Sequence, residues 1–362
     1  MTDRLALLLD VDTGIDDSLA LLLAAATPEV DLVAVTTVGG NVPVAQVAEN
    51  TRAVLELAGR SDVPVALGHE RPLVKDLATA EDTHGPRGLG YAELPPATRP
   101  LDPRSAAALL VETARARPGE ITLVTLGPLT NLALALQREP ALPRLLRGWT
   151  LMGGAYGVPG NTTPTAEWNI YVDPDAARQA FAAWAAAEGG DATSPPAEPG
   201  GIPRPLAMGL DVTEQARMLP EHLRHLAVRA GARPVDAEAV AHDPALAQGT
   251  VADNPVLRFV IDALRFYFEF HATYDRFYGA FIHDPFAVAA TIDPGLVRTT
   301  PAFVDVETGS GPAHAMTVTD WRHLTGRPPN LDVATAGEPD AFLRLLVERL
   351  GGLAADRFGV AR

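Results

Sequence analysis

Short apolar runs alternate with helical patterns through the first half of this 362-residue chain. The run LALLLDV precedes SLALLLAAAT, VDLVAVTTV precedes VAQVAENTRAVLELAG, and the alternation resumes at SAAALLVETARAR and continues to PDAARQAFAAW. Strands that alternate with amphipathic helices are typical of βαβ units, in which the strands lie parallel. The alternation therefore predicts an α/β fold, with a doubly wound, mostly parallel (mixed) open sheet flanked by helices and a Rossmann-like core.

Two stretches interrupt this pattern, and we still expect residues 1–362 to form a single domain. Residues 185–205 are rich in glycine, proline and alanine, which bury little surface, so we predict a flexible insertion there. Residues 230–255 are interpreted as a second insertion, near the rim of the functional site. The following segment, PVLRFVIDALRFYFEFHATYDRF, has apolar residues three and four positions apart, which predicts a long helix.

Charge and composition exclude several classes of partner. The formal net charge of −16 argues against binding to nucleic acid or to an anionic membrane, because both need a basic surface. The chain has no cysteine, so a metal could be bound only by oxygen or imidazole ligands. Neither a signal peptide nor a stretch of about 20 apolar residues is recognisable in the sequence, and we expect a cytoplasmic protein.

Four aspartates follow the first predicted strand: Asp10, Asp12, Asp16 and Asp17. In a parallel sheet, ligands bind outside the carboxyl ends of the strands, which is where these side chains fall. Carboxylates packed so closely repel one another unless a cation lies among them, which favours a hard divalent ion. Capping of the next helix would account for Asp16 and Asp17, but it leaves Asp10 and Asp12 unexplained.

The segment DVDTGIDDSLALLLA resembles the DxDxGxDDAxAL signature of the inosine–uridine nucleoside hydrolases, calcium-dependent enzymes that split the N-glycosidic bond of ribonucleosides. Thr13 stands where that family usually has proline. Further similar segments occur in the family's order across almost the whole chain: AVTTVGGNV, THGPRGLG, LVTLGPLTNLA, LMGGAY, GNTTPTAEWNIYVDPDAA, GLDVTEQA and HDPFAVA. The resemblance implies the nucleoside hydrolase fold, hydrolysis of a ribonucleoside substrate, and a homodimer or homotetramer.

The resemblance also implies a calcium site. Asp12, Asp17 and Asp284 match the carboxylate ligands, and Leu126 matches the residue that offers its backbone carbonyl oxygen. Together with a water molecule and two ribose hydroxyls, these groups would supply the seven or eight oxygens that Ca²⁺ prefers. Asp12 matches the general base that activates the attacking water.

A histidine is expected to protonate the leaving base, since histidine is the usual proton donor near neutral pH. The tripeptide HDP occurs at both His242 and His283. The copy at His283 lies between GAFI and FAVAA, at the apolar entrance to a predicted helix, and is the one assigned as the catalytic acid. The other candidates for substrate binding that the resemblance implies are Asp16, Asn41, His84, Met152, Asn161, Glu167, Trp168, Asn169 and Tyr274.

Two other functions are compatible with parts of the pattern. A phosphatase of the haloacid dehalogenase type also begins with a strand and a DxD motif, but it needs a downstream lysine, and Lys75 is the only lysine in the chain. A non-catalytic nucleoside or calcium binder on the same fold would keep the same aspartates. His283 matches the histidine that protonates the base in the inosine–uridine and pyrimidine branches of the family, so the resemblance implies inosine and uridine, or pyrimidine nucleosides, as substrates.

Overall fold

The computed structural model of the protein describes residues 4–187, 202–232 and 253–358. Most of the two predicted insertions, 185–205 and 230–255, lies outside these residues, as does His242. The insertions and the single domain of 1–362 therefore stay predictions.

Nine strands of the described residues form one sheet. In chain order the strands of the structure are β1 (Leu5–Val11), β2 (Val30–Thr37), β3 (Val65–Ala66), β4 (Ile121–Thr125), β5 (Gly148–Met152), β6 (Leu206–Met208), β7 (Arg217–Met218), β8 (Ala280–Phe281), β9 (Val297–Val306), β10 (Thr317–Asp320) and β11 (Leu331–Gly337). The strand order in the large sheet is β10-β9-β11-β6-β5-β4-β1-β2-β3, and β7 pairs with β8 separately. Seven neighbouring strands of the sheet are parallel to one another: β3, β2, β1, β4, β5, β6 and β11. At the other edge, β9 pairs antiparallel with both β11 and β10. The predicted mixed, mostly parallel α/β sheet is confirmed.

Helices cover both faces of this sheet. They are α1 (Ile15–Ala26), α2 (Val44–Leu57), α3 (Glu81–His84), α4 (Ala106–Ala116), α5 (Thr130–Arg138), α6 (Leu142–Leu145), α7 (Trp168–Val172), α8 (Pro174–Ala187), α9 (Leu210–Thr213), α10 (Pro220–Arg229), α11 (Pro255–Tyr274), α12 (Asp284–Ile292) and α13 (Pro339–Phe358). Among the described residues, no helix is both long and apolar enough to cross a lipid bilayer.

Strand β1 lies inside the sheet, and both of its faces are buried. It pairs in parallel with β2 on one side and with β4 on the other. Leu7 and Leu9 pack into the hydrophobic core on one face of the sheet, while Leu8 packs into the core on the opposite face. This period-two division explains why the run is apolar throughout rather than alternating with polar residues. The strand therefore holds the acidic turn that follows it on a rigid, fully buried support.

Helix α11 confirms the long helix predicted after the second insertion. It begins at Pro255, preceded by Asn254, whose side-chain oxygen accepts hydrogen bonds from the backbone N–H groups of Val256 and Leu257 at 3.1 and 3.2 Å. A proline at the first helical position and an asparagine cap together are strong start signals. The helix ends at Tyr274, beside the pocket described below.

Helices α12 and α13 are joined by an aromatic contact close to the acidic residues. Phe286 and Phe342 stack with ring centroids 4.5 Å apart and an interplanar angle of 7°, and both side chains are fully buried. Phe286 lies two residues after Asp284, at the start of α12. The stack therefore fixes the position of the helix that carries one of the carboxylates.

Replacing Phe342 by alanine should lower the free energy of unfolding by about 3–5 kcal/mol, because it leaves a cavity behind the Phe286 ring. Urea unfolding followed by circular dichroism measures the change. The matched control is Phe358→Ala at the other end of α13, where the side chain is 37% exposed and the cost should stay below about 1 kcal/mol. Equal losses in the two variants would show that the stack contributes nothing particular.

Candidate active site

The turn between β1 and α1 is held together by Asp17. Its two carboxylate oxygens accept hydrogen bonds from the backbone N–H groups of Gly14, at 2.9 Å, and Asp12, at 3.2 Å. The side chain of Asn41 donates a further hydrogen bond to the same carboxylate at 3.2 Å. Asp17 therefore has the capping role that its position suggests, and it reaches toward the neighbouring strand end as well.

Asp12 lies between two glycines that leave room for its carboxylate. A Cβ atom on Gly40 would come within 2.1 Å of Asp12 Oδ2, and one on Gly127 within 2.8 Å of Oδ1. Oδ2 accepts a hydrogen bond from the backbone N–H of Asn41 at 2.9 Å, whereas Oδ1 is buried without a hydrogen-bond partner among the described residues. A buried carboxylate oxygen left unpaired is unfavourable, so Oδ1 is suited to a cation or a donor that binds there.

The tightest group of carboxylates consists of Asp16, Asp17 and Asp284, each of which offers an oxygen within 4.8 Å of the others. Burial raises the pKa of Asp16 to about 7 and that of Asp17 to about 6. Burial first, and then the neighbouring charges, raise the pKa values of Asp12 and Asp284 well above their usual range. These side chains fit a hard divalent cation, which would stabilise their ionised forms.

This grouping differs in one respect from the ligand set that the sequence suggests. The structure places Asp16, assigned above to the substrate, in the tight carboxylate group. Asp12 is not part of this tight group, and one of its oxygens accepts a hydrogen bond from the backbone N–H of Asn41. Asp10 is not part of the carboxylate group either. Its Oδ1 accepts hydrogen bonds from Thr36 Oγ1 at 2.6 Å and Asn131 Nδ2 at 2.8 Å, so it connects β1 to β2 and α5.

The carbonyl oxygen of Leu126 faces the same region. It accepts a hydrogen bond from Asn169 Nδ2 at 2.7 Å, and that amide also donates to the carbonyl oxygen of Met152 at 3.1 Å. A carbonyl oxygen has two lone pairs, so the bond from Asn169 leaves one available for a cation. Asn169 thereby connects the end of β4 to the end of β5.

These side chains surround a cavity of about 520 Å³ at the carboxyl ends of the strands. Asp12 and Asp17 do not line it, but both are hydrogen-bonded to Asn41, which does. The other predicted site residues all contribute to its lining: Asp16, Asn41, His84, Leu126, Met152, Asn161, Glu167, Trp168, Asn169, Tyr274, His283 and Asp284.

Glu167 is largely occupied by the backbone around it. Its carboxylate accepts hydrogen bonds from the N–H groups of Asn169 at 2.8 Å, Gly154 at 2.9 Å and Ile170 at 3.1 Å. Asn161 behaves similarly, since its side-chain oxygen accepts from the backbone N–H of Trp168 at 3.1 Å. Both side chains stabilise the loop and the start of α7. Only the hydrogen-bonding capacity that these bonds leave unused is available to a ligand.

Two of the cavity's histidines have defined roles for their ring nitrogens. His84 Nδ1 accepts a hydrogen bond from the backbone N–H of Ile15 at 3.1 Å, so its neutral ring carries the proton on Nε2. His283 Nδ1 lies 2.8 Å from Thr213 Oγ1, whose own proton goes to the carbonyl oxygen of Gly209 at 3.2 Å. His283 Nδ1 is therefore the donor, and Nε2 is the nitrogen that gains and loses a proton. Burial lowers the pKa of both rings to about 3.

The cavity also has residues that the sequence analysis missed, chiefly Tyr267, His271 and Asp275 on and beside α11, with Glu214 and Phe281 opposite. Tyr267, His271 and Tyr274 recur at helical spacing, which indicates one face of the helix but not which face meets a cavity. The available signal was a histidine among aromatic residues followed four positions later by an aspartate. Lys75 lies elsewhere and donates to the carbonyl oxygen of Tyr171 at 2.8 Å, so it does not serve this site as a phosphatase lysine would.

Comparison with known proteins gives consistent matches. Residues 7–344 match the family described as inosine-uridine preferring nucleoside hydrolase. The chain is 36% identical over 347 residues to the pyrimidine-specific ribonucleoside hydrolase RihA of Citrobacter koseri, covering 96% of this chain and 98% of the relative.

Solved structures agree with these sequence matches. A purine-preferring ribonucleoside hydrolase from Gardnerella vaginalis superposes with a TM-score of 0.82 at 28% identity, covering 97% of this chain and 99% of that one. A plant nucleoside hydrolase gives a TM-score of 0.79 at 30% identity, covering 95% and 98%. Both of these solved structures share the fold of this chain.

Calcium should raise the melting temperature of the protein by about 5 °C or more, because a cation that binds only the folded state removes the repulsion among the buried carboxylates. Thermal unfolding with excess calcium and with excess chelator measures the shift. Asp284→Asn should lose most of it, whereas Asp82→Asn, an exposed residue of the cavity lining outside the carboxylate group, should keep it. A shift that persists in Asp284→Asn would place the ion elsewhere.

Proposed function

The chain belongs to the inosine-uridine preferring nucleoside hydrolase family and is a ribonucleoside hydrolase, and we propose that it hydrolyses pyrimidine ribonucleosides with calcium bound at the acidic group. The observation that carries the proposal is the set of buried carboxylates at the floor of a cavity large enough for a nucleoside. The unpaired Asp12 Oδ1 adjoins this set. A cation and a reacting water both need such groups, whereas a purely structural acidic turn does not.

The family is metal-dependent, and we assign the ion to Asp17 and Asp284 of the tight carboxylate group, together with the unpaired Oδ1 of Asp12 and the carbonyl oxygen of Leu126. The donor set is all oxygen and includes several carboxylates, which favours Ca²⁺ over softer metals. A bound calcium ion would neutralise the carboxylates and lower the pKa of a nearby water molecule. Asp16, in the same group, also faces the cavity and is available to a ribose hydroxyl.

Asp12 is the proposed general base. Its Oδ1 is unpaired and its position is fixed by Gly40, Gly127 and the bond from Asn41, so it need not reorganise to accept a proton. As the water oxygen bonds to the anomeric carbon, Asp12 takes the water's proton. The carbon–nitrogen bond breaks, and its electron pair leaves with the base.

The ribose passes through an oxocarbenium-like state in this type of cleavage, so the floor of the cavity should stabilise positive charge and orient the hydroxyls. The buried carboxylates supply the negative charge. Asn41 and Asn169 supply amides at the cavity wall, and the Oδ1 atom of Asn41 is buried without a partner among the described residues. We therefore assign Asp16, Asn41 and Asn169 to the ribose.

The departing base needs a proton or a hydrogen bond to leave. His283 lines the cavity, and Thr213 fixes its Nδ1, so its Nε2 is the nitrogen that would deliver the proton. Burial lowers the pKa of His283, so its ring is neutral in the unliganded protein, and Nε2 would have to gain the proton that it delivers to the base. His84, with its proton on Nε2, is placed to donate a hydrogen bond to the same base.

The preference for pyrimidines is supported by the 36% identity to the RihA hydrolase named for them. The cytoplasmic location and the homodimer or homotetramer stay predictions.

Ribose release from uridine, cytidine, inosine and adenosine, with calcium and after exhaustive chelation, tests the proposal. We expect calcium-dependent release that is fastest for a pyrimidine nucleoside. Asp12→Asn should lower kcat/KM by about a hundredfold or more, because it removes the general base. Asp340→Asn, at an exposed aspartate of α13 outside the cavity, is the control, with activity close to that of the unaltered protein. Calcium bound stoichiometrically without ribose release would instead favour a nucleoside-binding protein.

His283→Ala should reduce kcat/KM for uridine by about a hundredfold or more, but should affect p-nitrophenyl riboside little, since that leaving group departs without a proton. Steady-state rates on both substrates give the comparison. Thr213→Val, which removes only the hydroxyl that fixes Nδ1, should show a smaller loss with the same substrate dependence. A loss of the same size on both substrates would mean that His283 supports the fold and not the leaving base.

A further inference from the structure

His271 lies in the wall of the cavity, opposite the acidic floor. It is 4% exposed and sits near the C-terminal end of α11. Aromatic rings surround its imidazole, with ring centroids 4.7 Å away at Tyr267 and 5.0 Å away at Phe281. Nothing in the hydrolysis derived above uses this side chain, yet it occupies the part of the cavity where a planar base would meet aromatic rings.

Asp275 fixes the protonation pattern of this ring. His271 Nδ1 lies 2.7 Å from Asp275 Oδ2, and because an ionised carboxylate only accepts hydrogen bonds, Nδ1 must be the donor. Burial lowers the pKa of His271, and the bond to Asp275 opposes that effect without reversing it. The ring is therefore neutral at neutral pH, with its lone pair on Nε2.

His271 Nε2 is buried and has no hydrogen-bond partner among the described residues. A buried acceptor without a donor is unfavourable, and in a cavity wall such an atom indicates that a ligand supplies the donor. The aromatic neighbours offer no N–H group to it. The hydroxyl group of Tyr267 lies on the same face of α11, one turn before His271, and does not hydrogen-bond to Nε2.

His84 provides the complementary group. Its proton is on Nε2. The ring centroids of His84 and His271 lie 5.5 and 4.7 Å from that of Tyr267, so both imidazoles lie against the same tyrosine. The cavity thus presents one histidine that donates and one that accepts. Uracil carries a carbonyl oxygen next to an N–H, and cytosine carries a carbonyl oxygen and an amino group, so both can match such a pair.

We propose that His271 is a specificity-determining residue whose Nε2 accepts a hydrogen bond from an N–H group of the nucleobase, with Asp275 holding the ring in the accepting tautomer. This inference rests on the proposed function and deepens it. It selects bases that carry an N–H on the edge away from the ribose, over leaving groups that have none.

Steady-state kinetics of His271→Leu and His271→Gln on uridine and p-nitrophenyl riboside test the inference. Leucine removes the acceptor, so KM for uridine should rise about tenfold while kcat changes less, because a base contact made in the bound state is lost. Glutamine can still accept a hydrogen bond, so its KM should stay within about threefold of the unaltered value. KM for p-nitrophenyl riboside should change less than about twofold in both variants.

The matched control is His225→Leu, the same substitution at an exposed histidine of α10 outside the cavity. The inference would be overturned if His271→Leu lost the same share of kcat/KM on uridine and on p-nitrophenyl riboside. It would also be overturned if KM for uridine rose equally in His271→Leu and His271→Gln. A fall in kcat at constant KM, which would make His271 an acid, would overturn it as well. If the unaltered protein released ribose from no nucleoside, the proposed function itself would fail; if it released ribose and His271→Leu kept the KM for uridine, only this inference would fail.

Discussion

The mutual repulsion of buried carboxylates at the end of β1 is the constraint on which the rest of the structure depends. Two helices reduce it, since Asp16 and Asp17 lie in the first turn of α1 and Asp284 in the first turn of α12, where the helix dipole favours negative charge. Backbone N–H groups reduce it further at Asp17. The raised pKa values of Asp16 and Asp17 indicate that this compensation is incomplete, and a divalent cation would complete it.

The cavity has a floor and a wall of different construction. The floor comes from the ends of parallel strands and from glycines that let the chain approach Asp12 closely, so it is rigid and polar. The wall comes from α11 and carries aromatic rings and His271. A rigid floor suits the ribose, which is common to all nucleosides, whereas residues on one helix face can change without disturbing the sheet. This division is consistent with relatives named for different bases sharing the fold.

The sequence was informative where function depends on residues close together in the chain. The strand, turn and helix around Asp12 and Asp17 were predicted because the apolar run, the glycine and the aspartates are contiguous. Thr13 stands where the family usually has proline, and its hydroxyl lies 2.6 Å from that of Thr51, a contact that joins the turn to α2. His271 was missed because spacing does not tell which helix face meets a cavity, and the capping by Glu167 was missed because it depends on how a loop folds back.

A crystal structure of the protein grown with calcium, with anomalous scattering recorded, tests the central claim most directly. The account predicts one anomalous peak per chain, among Asp12, Asp17, Asp284 and the carbonyl oxygen of Leu126. A peak at another site, or none in crystals of protein that hydrolyses nucleosides in the same calcium solution, would contradict the assignment of the acidic group as the metal centre.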